Sequence, residues 1–234
     1  MDFGGILKNS LIDYPGNIAC VLFTQGCNFR CPFCHNPELV LPEHFTKPFS
    51  EDYVFDFLKK SEGWIDAVAI TGGEPTLHAD LVNFIKKIKA IKLKVKLDTN
   101  GTNPEMLKTL LSLNLLDSIA MDIKAPVIID EYKKLAGNVV SPEMINNIIE
   151  SIKIIMNSNI DYEFRTTVIK ENHGVDAIDA IVDLIKGANR FSIQHFRNEV
   201  VLDDTFKSKT AYTDDEIMKI VEKIRPHVKE IVVK

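Results

Sequence analysis

Ala67-Val68-Ala69-Ile70-Thr71-Gly72-Gly73 is a short apolar β-run halted by two glycines. Residues 79–90 follow, with Leu81, Phe84, Ile85 and Ile88 at i, i+3, i+4 and i+7, the spacing of one helix face. Together they form a βα unit, and the same alternation extends in both directions. Upstream, 18–24 is a compact β-rich run, and 50–60 is helical with acids in its first turn. Downstream, strands are predicted over 93–99, 118–123, 162–169 and 190–196, with a last one at 231–233. Helices over 104–113, 141–157 and 175–186 separate them, the first two opened by Pro104 and by Ser141-Pro142-Glu143. Thr213-Asp214-Asp215-Glu216 fits a capping box at the head of a helix running to 224.

Six βα units predict a parallel sheet with right-handed crossovers. A complete eight-unit barrel takes ~250 residues, and about 40 positions here go to the cysteine region and to 197–212, so a partial barrel fits better. The expected fold is α/β, a partial (β/α)6 TIM-like barrel; a doubly wound open sheet is the competing arrangement. No Ser/Gly-rich linker divides the chain, so 1–234 is read as a single domain. It comprises a loop at 25–36, a core barrel over about 17–196 and a C-terminal extension over 197–234. In either fold, chemistry belongs at the C-terminal ends of the strands.

The 234 residues are 45% hydrophobic and 26% charged, the make-up of an ordinary globular protein. No apolar run approaches the ~20 residues of a membrane span. Met1-Asp2-Phe3-Gly4-Gly5 lacks a basic segment followed by an apolar one, so no secretory signal is expected and the protein is read as cytoplasmic. A net charge of −5, from 28 basic and 33 acidic residues, argues against nucleic acid as a partner.

Fully buried parallel strands are nearly all apolar, yet these strands carry charges at period two. Lys94, Lys96 and Asp98 share a face, as do Asp122 and Lys124, and Glu163 and Arg165. Such charges are costly unless their face is wet or they pair with one another. Lys94 is read as a solvent-facing charge. Asp98, Asp122, Lys124 and Arg165, near strand ends, are read as facing a lumen that takes a charged small molecule.

Of four cysteines, Cys20 sits in an apolar strand and reads as a buried small hydrophobe, while Cys27, Cys31 and Cys34 lie within eight residues. Clustered cysteines in a reducing compartment point to metal or redox chemistry. Three thiolates from one loop can wrap a single centre. A [4Fe–4S] cluster usually takes four, so three leave one iron open. The structural alternative is zinc held by Cys27, Cys31, Cys34 and His35, although adjacent Cys34 and His35 have difficulty pointing at one ion.

The loop Gly26-Cys27-Asn28-Phe29-Arg30-Cys31-Pro32-Phe33-Cys34 resembles the CxxxCxxC signature of radical S-adenosylmethionine (SAM) enzymes, including the aromatic Phe33 before the last cysteine. Further motifs match in order. Thr71-Gly72-Gly73-Glu74-Pro75 is similar to that family's GGEP element. Asp98-Thr99-Asn100-Gly101 and Met121-Asp122-Ile123-Lys124 resemble activases of glycyl-radical enzymes. Ser10-Leu11-Ile12-Asp13-Tyr14-Pro15-Gly16 and Phe23-Thr24-Gln25-Gly26-Cys27 resemble activating proteins of anaerobic ribonucleoside-triphosphate reductase. The resemblance covers most of residues 5–200.

It implies a [4Fe–4S] cluster on Cys27, Cys31 and Cys34, with the amino and carboxylate groups of SAM on the open iron. One electron then cleaves the sulfonium bond, and the 5′-deoxyadenosyl radical abstracts hydrogen from the substrate. Phe33 would pack by the adenine. Gly72 and Gly73 would let the backbone approach the ligand and receive its amino group, with Glu74 shaping that turn. Asp98, Thr99 and Asp122 would make an oxygen-rich spot near the SAM carboxylate, with Lys124 or a cation balancing it; the alternative reading of Asn100-Gly101 is a plain turn. Arg165 has two readings, a partner of the methionyl carboxylate or an ion pair with Glu163 or Asp122. Gln194 or His195 would reach the ribose, and the pleat allows only one of them to do so. His35, His44, His78, His173 and His227 show no partner pattern and read as surface or packing residues. The polar stretch 197–212 reads as a surface loop.

The implied function is an activase that takes hydrogen from a backbone glycine of a glycyl-radical enzyme, with anaerobic ribonucleotide reductase as the preferred partner. Another such enzyme, pyruvate formate-lyase for example, is the runner-up. A low-potential electron donor such as flavodoxin or ferredoxin would serve it. A second hypothesis is a small-molecule radical SAM enzyme resembling 7-carboxy-7-deazaguanine synthase, with Lys94, Lys96 or Glu163 as extra lumen groups. A third is a zinc-stabilised binding module.

Overall fold

The computed structural model describes residues 1–234. Eight strands form one sheet in strictly sequential order. They are β1 (Phe3–Ser10), β2 (Ala19–Thr24), β3 (Ala67–Gly72), β4 (Lys94–Thr99), β5 (Ser118–Asp122), β6 (Asp161–Val168), β7 (Arg190–His195) and β8 (Glu230–Val233). All neighbours from β2 to β8 are parallel, and β1 runs antiparallel to β2. A doubly wound sheet would reverse its strand order at a switch point; this one never does. Six strands, β2 to β7, make the expected partial barrel. Within the sheet β1 pairs only with β2 and β8 only with β7, so the barrel stays open along one side.

The helices are α1 (Glu51–Lys60), α2 (Leu81–Ala90), α3 (Pro104–Ser112), α4 (Ile129–Ala136), α5 (Pro142–Met156), α6 (Val175–Leu184) and α7 (Asp214–Ile224). Their apolar faces bury one side of the sheet, so that Cys20, Leu22, Val68, Ile70, Val95, Leu97, Ile119, Phe164 and Ile193 join a single core. The other, concave face carries the alternate residues. The capping box at Thr213 forms as expected, with both of its hydrogen bonds to Glu216.

Two elements go beyond the sequence reading. β1 was not expected, because Gly4-Gly5 reads as a breaker; it holds through its pairing with β2, with register shifts after Phe3 and after Leu7. α4 was also not expected. It ends on Gly137, whose φ is +95°, against the backbone of Arg30 in the cysteine loop.

The lower end of the concave face is floored. Tyr14, in the turn between β1 and β2, is buried against Ala19 and Ala67. Burial, with the carboxylates of Asp117 and Asp161 at the starts of β5 and β6, pushes its hydroxyl up to about 12.

The turn after β4 is equally constrained. Gly101 has φ +77°, and a Cβ there would lie 2.0 Å from Cε of Met121. Ser151 Oγ donates to its carbonyl at 2.7 Å. Gly101→Ala is therefore expected to cost about 1–3 kcal/mol, read as a lower urea midpoint; an unchanged midpoint would contradict the geometry.

Candidate active site

The strand register brings the period-two charges onto the concave face as one connected chain. Lys96 Nζ lies 2.5 Å from Asp98 Oδ1. Arg165 reaches Asp98 Oδ2 through Nη1 at 3.0 Å and Asp122 Oδ1 through Nε at 2.6 Å. Lys124 Nζ closes the chain on Asp122 Oδ2 at 2.8 Å. Burial alone would push both aspartates up. Arg165, with Lys96 at Asp98 and Lys124 at Asp122, outweighs it and holds both carboxyls below the usual range. Burial likewise opposes the charge on Lys124 and Arg165, and their aspartate partners reverse that, holding both cations protonated. Three cations face two anions, which leaves one positive charge in excess.

Of the two readings of Arg165, the ion pair is the one formed, with Asp98 as well as Asp122. Glu163 is taken up separately by Ser192 Oγ at 2.6 Å and by Lys234 Nζ at 2.8 Å. Lys94 is exposed and donates to Asn17 Oδ1.

The excess positive charge lies next to the cysteines. Burial raises the thiols of Cys27 and Cys31 to about 11 and about 12 and also pushes Cys34 up, while the Lys124 ammonium pulls all three back toward the thiolate. Phe29 N–H donates to Cys27 Sγ at 3.4 Å. A soft polynuclear centre suits this donor set: the three cysteines would supply soft thiolates, and the Lys124 ammonium would balance their charge.

The loop is held from every side. Gly73 N–H donates to Thr24 O and Glu74 N–H to Gly26 O, each at 2.8 Å. A Cβ on Gly73 would fall 2.0 Å from Gly26 O, so this turn must be glycine to lie against the loop. Arg30 N–H donates to Ala136 O at the end of α4, and Asn28 is clipped to Asn100 and Thr102 by 2.8 Å bonds. Tyr132 of α4 packs by Phe29 and accepts the Lys124 N–H.

Several candidate residues serve the scaffold. Buried Glu74 has its carboxylate committed to Thr76, Thr99 Oγ1 and the Asn100 N–H. Burial, the larger effect, still pushes that carboxyl up. Thr99 thus lies on the opposite pleat from Asp98, and Asn100 is spent on the loop. Gln194 shares the lumen face, with Thr167 Oγ1 3.4 Å away. His195 points to the other face, 3.4 Å from Asp214. His173 is buried between Lys124 O and the Ile169 N–H.

The stretch 197–212 is not a free surface loop. Asp203 N–H donates to Pro32 O at 2.9 Å, and buried Phe33 lies between Phe206 and Lys124, at 6.3 and 5.8 Å. No sequence signal pointed to Phe206, Tyr132 or Asn28, because each acts through a contact distant along the chain.

The sequence profile of the Radical SAM superfamily matches residues 21–185. A protein of Methanocaldococcus jannaschii, provisionally named a glycyl-radical enzyme activating enzyme, is 32% identical over 98% of this chain and 94% of its own length. The pyruvate formate-lyase-activating enzyme of Listeria monocytogenes is 36% identical over 48% of this chain, and the match spans about half (49%) of that enzyme. In fold, QueE from Escherichia coli superposes with a TM-score of 0.56 at 14% identity, covering 100% of this chain and 93% of that one.

Arg165→Met would leave two buried carboxylates short of their shared partner, a loss of about 3–5 kcal/mol at pH 7. For the wild type, carboxyls held low stabilise in full above about pH 4, and that contribution is lost as pH falls through the lowered folded-state values. In the variant one lysine remains on each carboxylate, so less of that contribution is present at pH 7 and the gap between the two proteins narrows as the pH falls. Urea midpoints across pH 3–7 check both slopes; equal midpoints at pH 7 would contradict the ion-pair chain.

Proposed function

The chain belongs to the radical SAM superfamily, and from that premise we propose that it generates a glycyl radical on a partner enzyme, an anaerobic ribonucleoside-triphosphate reductase. In this reading Cys27, Cys31 and Cys34 hold a [4Fe–4S] cluster. When bound, that cluster supplies the electron that cleaves SAM, and the resulting deoxyadenosyl radical takes hydrogen from a glycine of the partner. The residues of this chain bind, orient and exclude water. Lys124, already buried and charged, carries the excess positive charge that attracts the SAM carboxylate. Asp122 and Asp98 are neutralised by Arg165 and Lys96, so they do not repel that carboxylate. Gly72 and Gly73 offer backbone at close range. Phe33, buried against Phe206, would border the adenine chiefly through its backbone.

The observation that carries the reading is a lumen whose charges are paired but for one excess positive charge, beside three thiols and an unclosed side. Lys96 and Glu163, the extra polar groups a small-molecule substrate would use, are spent on Asp98 and on Ser192 with Lys234. Once the SAM carboxylate meets the excess positive charge, what remains of such a lumen accepts an uncharged group, and a backbone glycine is one. A radical intermediate requires exclusion of solvent, and a protein partner covering the open side supplies it. The preference for the reductase rests on Ser10 to Gly16 and Phe23 to Cys27. The name of the Listeria relative favours pyruvate formate-lyase as the second partner.

Mixing reduced enzyme, SAM and the reductase is expected to give a glycyl doublet by electron paramagnetic resonance. Confirmed SAM cleavage with no doublet, from this reductase or from pyruvate formate-lyase, would overturn the activase reading. Cys31→Ala is expected to lose both iron and reductive SAM cleavage; cleavage at the wild-type rate would remove Cys31 from the ligand set.

A further inference from the structure

We propose that the free edge of β8 receives an extended segment of the glycine-bearing partner as a ninth strand, beside the open side of the lumen. This rests on the activase reading and adds how the substrate chain is held. β8 has one neighbour, β7. Lys234, the residue after it, continues the ladder: its N–H donates to Ile193 O at 2.9 Å, and its carbonyl accepts the His195 N–H at 2.8 Å. Successive residues of a strand turn their backbone groups to opposite sides. Val232 and Lys234 therefore face β7, while Ile231 and Val233 turn their N–H and C=O groups outward, where no other strand or loop bonds them. Such a row of unpaired groups is a template for another strand.

The two edges of the sheet are not alike. At the upper end of β1, Phe3 is bridged on its outer side by Phe49, whose N–H donates to Phe3 O at 2.9 Å. Gln25 Nε2 ties that segment down at Thr46 O. β8 has no such cover. Sheet edges are commonly guarded by outward-reaching lysines. The charges around β8 are instead folded back onto the sheet. Lys229 Nζ donates to Asn189 Oδ1, Arg190 Nε to Glu230 Oε2 and Lys234 Nζ to Glu163 Oε2, each at 2.8 Å. What remains on the edge is backbone among Ile231, Val232 and Val233, so it suits an uncharged extended chain.

Register fixes where that chain lies. Asp122 pairs with Arg165, Arg165 with Ser192 and Ser192 with Val232. Val232 thus shares a row and a face with the two groups next to Lys124 in the ion-pair chain. β2 to β8 are parallel and all end at the same end of the sheet, where the cysteine loop follows β2 and where Val233 and Lys234 follow Val232. A strand added about 4.8 Å beyond β8 therefore borders the open side at the level of the candidate site. Pairing through the main chain is how an extended peptide joins a sheet edge, and it needs no side chain at the paired residue. A segment centred on glycine, whose reacting atom carries no side chain, is held in that way.

Val233→Pro removes an outward N–H and leaves the β7 ladder whole, since Val232 and Lys234 serve that ladder. Val233→Thr keeps the N–H and is the control. The substrates are the intact reductase and a short peptide spanning its glycine. Val233→Pro is expected to lower kcat/KM on both by about tenfold, through KM. Iron content and partner-free SAM cleavage should be unchanged, and Val233→Thr should match the wild type. In the wild type with SAM and no reductant, adding the peptide is expected to slow hydrogen exchange at the Ile231 and Val233 amides by about tenfold. An unchanged KM in Val233→Pro overturns the proposal. So does unchanged exchange, which decides the matter if the proline variant loses its iron or its fold. If both amides are already slow without partner and sedimentation shows a dimer, a second copy fills the edge and the proposal falls. Wild type that forms the radical with these amides unprotected refutes the edge alone. Wild type that forms no radical on the reductase or on pyruvate formate-lyase fails the activase reading, and the edge proposal falls with it.

Discussion

Arg165 sits between two buried aspartates, and much of the site depends on that bridge. A parallel sheet normally excludes charge from its strands, because an unpaired buried ion costs several kcal/mol. Here Lys96, Asp98, Arg165 and Asp122 come from three adjacent strands and Lys124 from the second residue past β5, and they pay for one another's burial only while the β4–β5–β6 register holds. The odd number of charges matters as much as the pairing. An even set would be neutral, whereas five leave a positive charge, and the chain ends with Lys124 beside the thiols. The same arrangement that makes the polar face tolerable thus makes it receptive to a carboxylate.

The cysteine loop has little structure of its own and borrows its shape. The glycine turn after β3 abuts it at backbone distance, α4 caps Arg30, the turn after β4 clips Asn28, and 203–206 lies over Pro32 and Phe33. Each support comes from a different part of the chain. Three soft thiol donors on one loop, with the Lys124 ammonium beside them, suit a centre with several metal atoms. The scaffold also explains why Glu74 is buried: its carboxylate joins two of the supporting turns.

What was legible in the sequence was local or periodic. The period-two charges gave the polar face, the cysteine spacing gave the loop, and the alternation of strands and helices gave the partial barrel. The capping box at Thr213 was readable because its partner is three residues away. Non-local pairing was not readable. β1 contains a glycine pair and exists because β2 offers a ladder. α4 is only eight residues long, and no side chain caps its start at Ile128. The partners of Arg165, the opposite facing of Gln194 and His195, and the anchoring of 197–212 depend on register and on contacts between segments far apart in the chain. The floor made by Tyr14 belongs to the same class.

The central claim is that three thiolates leave one iron open beside a positively charged lumen. Mössbauer spectroscopy of anaerobically reconstituted, iron-57-labelled protein tests it most directly, with and without SAM. The account predicts a four-iron cluster in which one iron stands apart from the other three and changes its parameters when SAM is added. Four iron sites that SAM leaves unaltered, or a protein that retains no iron, would contradict it.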